Sequence, residues 1–132
     1  MVSYLTDDVA RVILITKTFD FIGSEGTTTA TGCIPSSNTC GSSGQDSIDS
    51  ANYCISSYLA VTVTYDNAGV DPILVASDKS IVGVGSTGVI QGRGLRLSGV
   101  SNVIIQNVHI TDLNPSLIWG GDAITLVSAS CK

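Results

Sequence analysis

Three short segments in the second half of the chain are built alike. Ser80-Ile81-Val82-Gly83-Val84, Asn102-Val103-Ile104-Ile105-Gln106 and Asp122-Ala123-Ile124-Thr125-Leu126 each open on a polar residue and continue as an apolar run, with starts 22 and then 20 residues apart. Between them Gly88-Val89-Ile90-Gln91 and Val108-His109-Ile110-Thr111 recur at a spacing of 20, and Leu95-Arg96-Leu97 forms a further short run. A period of this length, holding two or three strands and no helical segment to carry a βαβ crossover, predicts an all-β coil in which one period is one turn: a parallel β-helix. Turns of such a coil stack at about 4.8 Å and align equivalent aliphatic side chains into interior columns. Gly83, Gly85, Gly88, Gly92, Gly94 and Gly99 suit corners that need positive φ. Asn107, where its strand bends, suits a stacked amide ladder.

Composition agrees with strands: Val, Ile, Thr and Ser abound, and good helix formers are scarce. Hydrophobic residues make up 43% and charged residues 13%, which excludes a disordered chain, and 132 residues allow one domain. Six Lys+Arg against 11 Asp+Glu, a net charge of -5 and no basic run argue against nucleic acid as a partner, because there is little to release counterions from a phosphate backbone. Apolar runs such as Val12-Ile13-Leu14-Ile15 fall far short of the roughly 18 residues of a membrane helix, so no membrane partner is expected.

In the first half, Thr6-Asp7-Asp8 offers a helix cap close to the start. Arg11 to Phe21 reads as a strand, with Val12 to Thr16 buried on both sides. Ser24 to Tyr58 reads as loop. Val61 to Tyr65 alternates as a strand, Asp66-Asn67-Ala68-Gly69 turns, and Ile73-Leu74-Val75 is a short strand. Of the four cysteines, Cys33, Cys40 and Cys54 fall within one Ser/Gly/Asn-rich stretch, and Cys131 lies near the other end. There is no C-x2-C pair, and the single His109 is far from them all, so no metal spacing is present. The stretch reads as a loop pinned by a bridge in an oxidising, extracellular setting, with buried free thiols as the alternative.

Gly83-Val84-Gly85-Ser86-Thr87-Gly88 matches G-x-G-x-x-G, but a strand and turn follow it rather than the helix N-terminus that would hold a pyrophosphate. His109 alternates with Val108 and Ile110 and reads as a solvent-facing strand residue. Arg93 and Arg96 read as surface charges flanking an apolar core. Trp119-Gly120-Gly121-Asp122 carries more information. It follows the repeat-breaking loop Asp112-Leu113-Asn114-Pro115 and sets the only Trp three residues from a carboxylate. An indole face stacks on the apolar face of a sugar while a carboxylate takes its hydroxyls. A Trp packed under a loop and an Asp tying down the Gly-Gly turn would account for the same residues.

Leu14-Ile15-Thr16-Lys17-Thr18-Phe19-Asp20-Phe21, Ser24-Glu25-Gly26-Thr27-Thr28-Thr29, Thr31-Gly32-Cys33, Asn102 to Asn107 and Trp119-Gly120-Gly121-Asp122-Ala123-Ile124-Thr125 together resemble the fungal secreted pectin lyases, from Met1 to about Leu126. The resemblance implies a right-handed parallel β-helix, present here as N-terminal coils. Residues 1–132 would form a single incomplete domain, with a disulfide-pinned loop over 33–58 and coils over 61–126. It implies a secreted enzyme that cuts methyl-esterified polygalacturonate, pectin, by β-elimination without a metal or other cofactor. By resemblance Asp122 is the cleft acid, Trp119 a substrate-binding cleft tryptophan, and Cys33 pairs with Cys54, leaving Cys40 and Cys131 unpaired.

The chain also departs from the family. Ser36 and Tyr53 replace two aromatic cleft positions. The family's catalytic arginine and its supporting arginine lie on later coils, and none of Arg11, Arg93 and Arg96 matches them, so this chain alone is expected to be inactive or nearly so. After Leu126 the tail Val127-Ser128-Ala129-Ser130-Cys131-Lys132 leaves the family pattern, as intron read-through would. A lone stack of this kind is expected to be monomeric if folded and aggregation-prone at its open last coil. The alternative is a non-catalytic solenoid that binds polysaccharide, or a decayed gene product.

Overall fold

Short β-branched runs broken by Gly, Asn and Asp are too brief to bury a face alone, and here they do so by stacking. A computed structural model describes residues 1–41 and 44–130. A one-turn helix α1 (Val2–Thr6) precedes β1 (Arg11–Ile15), β2 (Thr18–Asp20), β3 (Thr27–Ile34) and β4 (Asp46–Ile48). A 3-10 turn (Ser50–Asn52), β5 (Leu59–Asp66), a one-turn helix α2 (Asn67–Val70) and β6 (Ile73–Leu74) follow. The remaining strands are β7 (Lys79–Gly83), β8 (Val89–Gln91), β9 (Leu95–Ser98), β10 (Val103–Gln106), β11 (His109–Thr111), β12 (Leu117–Ile118) and β13 (Ile124–Val127).

Three sheets are wholly parallel, in the orders β1-β7-β10, β2-β8-β11 and β6-β9-β13, so successive turns of chain contribute successive strands to each: a parallel β-helix. The interior columns follow from the register. Ile13, Ile81 and Ile105 align in one sheet, Phe19, Ile90 and Ile110 in the second, and Ile73, Leu95 and Ile124 in the third. Ile81, Ile90 and Leu95, in the middle of the stack, are fully buried, whereas Ile124 and Leu126 on the last strand are 43% and 67% exposed.

The repeat spacing of 20 matches the pairing of β8 with β11, where Val89 lies opposite His109. The spacing of 22 is corrected. Ser80 pairs with Ile104, and Asp122 to Leu126 stacks on β9 rather than on β10. The corners set the register: Asp78 and Asn102 both sit near φ 60°, 24 residues apart, and Asn102 Nδ2 donates to Asp78 Oδ1 at 2.7 Å. Asn107 Nδ2 likewise donates to the carbonyls of Gly83 (2.9 Å) and Gly85 (2.8 Å), so its ladder runs to the backbone of the coil before it. Of the six corner glycines, only Gly85, Gly92 and Gly99 have positive φ. Gly83, Gly88 and Gly94 are needed because neighbouring backbone occupies the space a Cβ would fill.

Four further expectations change. Val12 and Leu14 are 72% and 57% exposed while Ile13 and Ile15 are buried, because only one face of each sheet looks into the coil. Within 24–58, Thr27–Ile34 and Asp46–Ile48 are strands rather than loop: β3 pairs antiparallel with β5 along its whole length, from Thr27 opposite Asp66 to Ile34 opposite Leu59, and with β4 on its other side. The threonines of β3 are β-branched but polar, so the strand shows no apolar alternation. Thr6-Asp7-Asp8 ends α1 rather than starting a helix, with Asp7 as its C-cap. The Asp66 turn is the one-turn helix α2, whose first amides are capped by Asp66 Oδ1 accepting from Ala68 N at 3.0 Å. Cys33 and Cys54 form a disulfide, and Cys40 is an exposed free thiol among the described residues. Cys131 lies outside them.

At the first coil Leu5 of α1 is fully buried against the core. Beside it Lys79, 1% exposed, turns its ammonium inward, where Nζ donates to the carbonyls of Asp7 (2.8 Å), Val9 (2.8 Å) and Ser77 (3.1 Å) and lies 3.6 Å from Asp7 Oδ1. Asp7 Oδ2 accepts from Arg11 Nε at 2.7 Å, and this bond holds its carboxyl below the usual carboxylate range.

Lys79→Ala leaves three part-buried carbonyls without their donor and is expected to lower stability by about 2–4 kcal/mol, measured as a shift in urea midpoint at unchanged m-value. Asp7 binds its proton more weakly folded than unfolded. Its contribution is therefore complete above the ordinary value of 3.8 and lost as pH falls through the lower folded value. Urea midpoints recorded from neutral to strongly acid pH should lose part of their acid slope in Asp7→Asn.

Candidate functional site

The segment between β11 and β13 leaves the coil, lays β12 parallel to β4 and returns through Trp119-Gly120-Gly121-Asp122. Asn114 fixes this detour. Its Oδ1 accepts from Asp66 N at 2.8 Å, and its Nδ2 donates to the carbonyls of Asp66 (3.0 Å) and Gly120 (2.8 Å). Gln45 Nε2 adds a bond to Pro115 O at 2.8 Å. Gly121, at φ 138°, packs so closely on the Gly69 carbonyl of α2 that a side chain there would collide with it. The detour is thus sewn to the end of β5 and to α2.

This stitching aims the two candidate residues. Trp119 is held in the left-handed region at φ 62° and is 55% exposed. Its ring meets Tyr53 edge-on, centroids 5.9 Å apart at 71°, and Tyr53 in turn contacts Tyr58 at 6.1 Å. The Cys33–Cys54 disulfide anchors the segment that carries Tyr53. Asp122, exposed just before β13, is within 3.4 Å of the Thr125 hydroxyl, which points at its Oδ2. Trp119 and Asp122 line one open cleft of about 440 Å³, whose walls include Tyr65 from β5, Asp49, and Arg96 and Thr125 from the β6-β9-β13 sheet. An aromatic face, two carboxylates, a phenol and a guanidinium around an open groove can stack on sugar rings and hydrogen-bond their hydroxyls. Ser36 is exposed and does not line this cleft.

The sequence reading missed Arg96. The alternation Leu95-Arg96-Leu97 buries both leucines and turns Arg96 outward, where β9 sets it opposite Thr125. It is therefore a half-buried part of the cleft wall rather than a surface charge. The correct register, with β13 on β9, is the signal that would have found it. Arg93 is bound elsewhere: its Nε donates to Asp71 O at 2.7 Å, its Nη2 to Asp71 Oδ2 at 2.5 Å and its Nη1 to Glu25 Oε1 at 3.3 Å. His109 is exposed on β11. The G-x-G-x-x-G stretch is the end of β7 and a turn into β8, with no helix after it.

No family profile matches the chain. It is 60% identical over 128 residues, 94% of its length, to the probable pectin lyase F of Aspergillus niger, of which it covers 27%. It is 62% identical over 128 residues to the probable pectin lyase F-2 of Aspergillus terreus, covering 96% of this chain and 27% of that protein. To pectin lyase B of Emericella nidulans it is 59% identical over 135 residues, 98% of this chain and 35% of that protein. The chain thus spans about a third or less of the length of these curated relatives.

Asn114→Ala should cost about 2–3 kcal/mol, because it leaves part-buried backbone groups of Asp66 and Gly120 without these partners. Trp119 is the only tryptophan, so the same variant is expected to shift its fluorescence in the native state, a measurement separate from the melt.

Proposed function

Because this chain is, over nearly all its length, a homologue of part of the pectin lyases, we propose that it carries one wall of the cleft in which methyl-esterified polygalacturonan is bound for β-elimination. The observation that carries this reading is the shared cleft of Trp119 and Asp122 on the outer side of a parallel sheet. Trp119, braced by Tyr53, offers a stacking face to a pyranose ring, and Asp122 accepts hydrogen bonds from ring hydroxyls. In the elimination a base removes the proton on the carbon next to the C6 carboxyl, charge develops on that carboxyl as an enolate, and the C4 oxygen leaves with the bonding electrons. The methyl ester makes this proton more acidic than a free carboxylate would, so the chemistry does not call for a cation to neutralise the carboxyl.

Asp122 is the cleft acid in this reading. The family's base is matched by none of Arg11, Arg93 and Arg96. The 132 residues, as a single incomplete β-helix domain, therefore bind without turnover. The Cys33–Cys54 bridge supports an extracellular setting. The exposure of Ile124 and Leu126 supports self-association along the β13 edge.

Titration of the chain with a methyl-esterified galacturonan oligomer should quench or shift Trp119 fluorescence. By calorimetry, Trp119→Ala should weaken binding roughly tenfold. Absorbance from unsaturated uronide product should stay at the blank level. Absence of binding to a cooperatively folded chain would refute the cleft reading, and turnover would refute the account of the base.

A further inference from the structure

We infer that Tyr58, Ile55 and Leu59 extend the cleft beyond Trp119 as an outer subsite for esterified, uncharged sugar residues of the polymer; this rests on the pectin-binding reading above. The continuity lies in the rings. Trp119 lines the cleft and meets Tyr53 at 5.9 Å, and Tyr53 meets Tyr58 at 6.1 Å, tilted by 46°, so the aromatic row leads from the cleft onto the segment that enters β5. Two aliphatic side chains stand beside its far end. Ile55 is 54% exposed and Leu59 67%, and a turn in which Tyr58 N donates to Ile55 O at 3.0 Å keeps Ile55 next to Tyr58. Alternation along β5 sets Leu59 on the same face as Tyr65, which lines the cleft.

Charge decides what this strip takes. Between Glu25 and Asp66 the chain holds no lysine or arginine, and its only charged side chains are Asp46 and Asp49. A free uronate laid on the strip would lose water with no cation of this excursion to pair with, and the two carboxylates would repel it. A methyl-esterified residue brings no charge: its ring face stacks on a phenol ring and its ester methyl packs on Ile55 or Leu59. The strip is also held ready. Cys54 is tied by its bridge to Cys33 and by its amide to Asp49 Oδ1 at 3.0 Å, and Leu59 is paired with Ile34 at the start of β5, so little order has to be gained on binding.

Calorimetric titration of the 132-residue chain tests this with a short and a longer galacturonan oligomer, each fully methyl-esterified and again with its esters removed. In the wild type the added length should tighten binding roughly tenfold for the esterified pair and bring no gain for the de-esterified pair. Tyr58→Ala and Leu59→Ser should each remove most of that gain and leave the short esterified oligomer within about twofold of the wild type. Tyr58→Phe, which keeps the ring, should retain the gain. Leu59→Ser, at an exposed position, decides the matter if Tyr58→Ala does not melt cooperatively. No gain with length in the wild type, or equal losses at both lengths in the folded variants, would overturn the inference while leaving the cleft reading intact. So would sedimentation in which Leu59→Ser changes self-association and not oligomer binding, which would give the strip to a second copy of the chain. If the folded wild type binds neither esterified oligomer, both readings fall together.

Discussion

Everything in this molecule depends on one strand lying parallel and in register on the strand of the coil before it. No rung could stand alone, since each strand is five residues or fewer in the three parallel sheets. Burial is produced by the neighbour: Ile81, Ile90 and Leu95 are sealed because a coil lies on either side of them. The corner residues enforce that stacking. Asp78 and Asn102 adopt the same left-handed backbone and bond through their side chains, while Asn107 satisfies two carbonyls of the bend it covers. Asn and Asp tolerate this conformation better than most residues and add a polar contact that glycine lacks.

The cleft is a by-product of interrupting this regular coil twice. The first interruption, between β2 and β6, makes an antiparallel pair from β3 and β5; the second, between β11 and β13, lays β12 on β4. The two meet through Asn114 and the close contact of Gly69 with Gly121, and between them Trp119 is raised over the outer face of the β6-β9-β13 sheet. The coil supplies a rigid floor, with Arg96 and Thr125 side by side on adjacent strands. The excursions supply walls, in which aromatic rings brace one another. A site assembled this way takes its precision from the stack and its chemistry from the loops.

How much of this could be read beforehand varies with the physical signal. The parallel coil was legible because aliphatic runs recur where interior columns need them, and the β8 to β11 spacing was read correctly for that reason. The 22-residue alignment failed because it matched the polar residues at strand starts, whereas backbone conformation at Asp78 and Asn102 sets the register. β3 was hidden by its threonines, whose polar side chains give no apolar period. Trp119 and Asp122 stood out because the only tryptophan lies three residues before a carboxylate, after a loop that breaks the repeat. Arg96 did not, because its place in the cleft depends on which coil β13 returns to. Lys79 gave no warning either: a lysine at a strand start looks like any surface charge until the N-terminal segment is wrapped around it.

The first interruption also bears on how the chain reaches this state. β1 and β2 find partners in β7 and β8 only after the whole length between β2 and β6 has been looped out, while β8 and β11 meet across a single turn. Loop-closure entropy makes the local pairings faster and the distant ones slower. The later coils are accordingly the place for nucleation, with β1 and β2 docking last. The Cys33–Cys54 bridge closes part of the excursion covalently and shortens the search that this final docking requires.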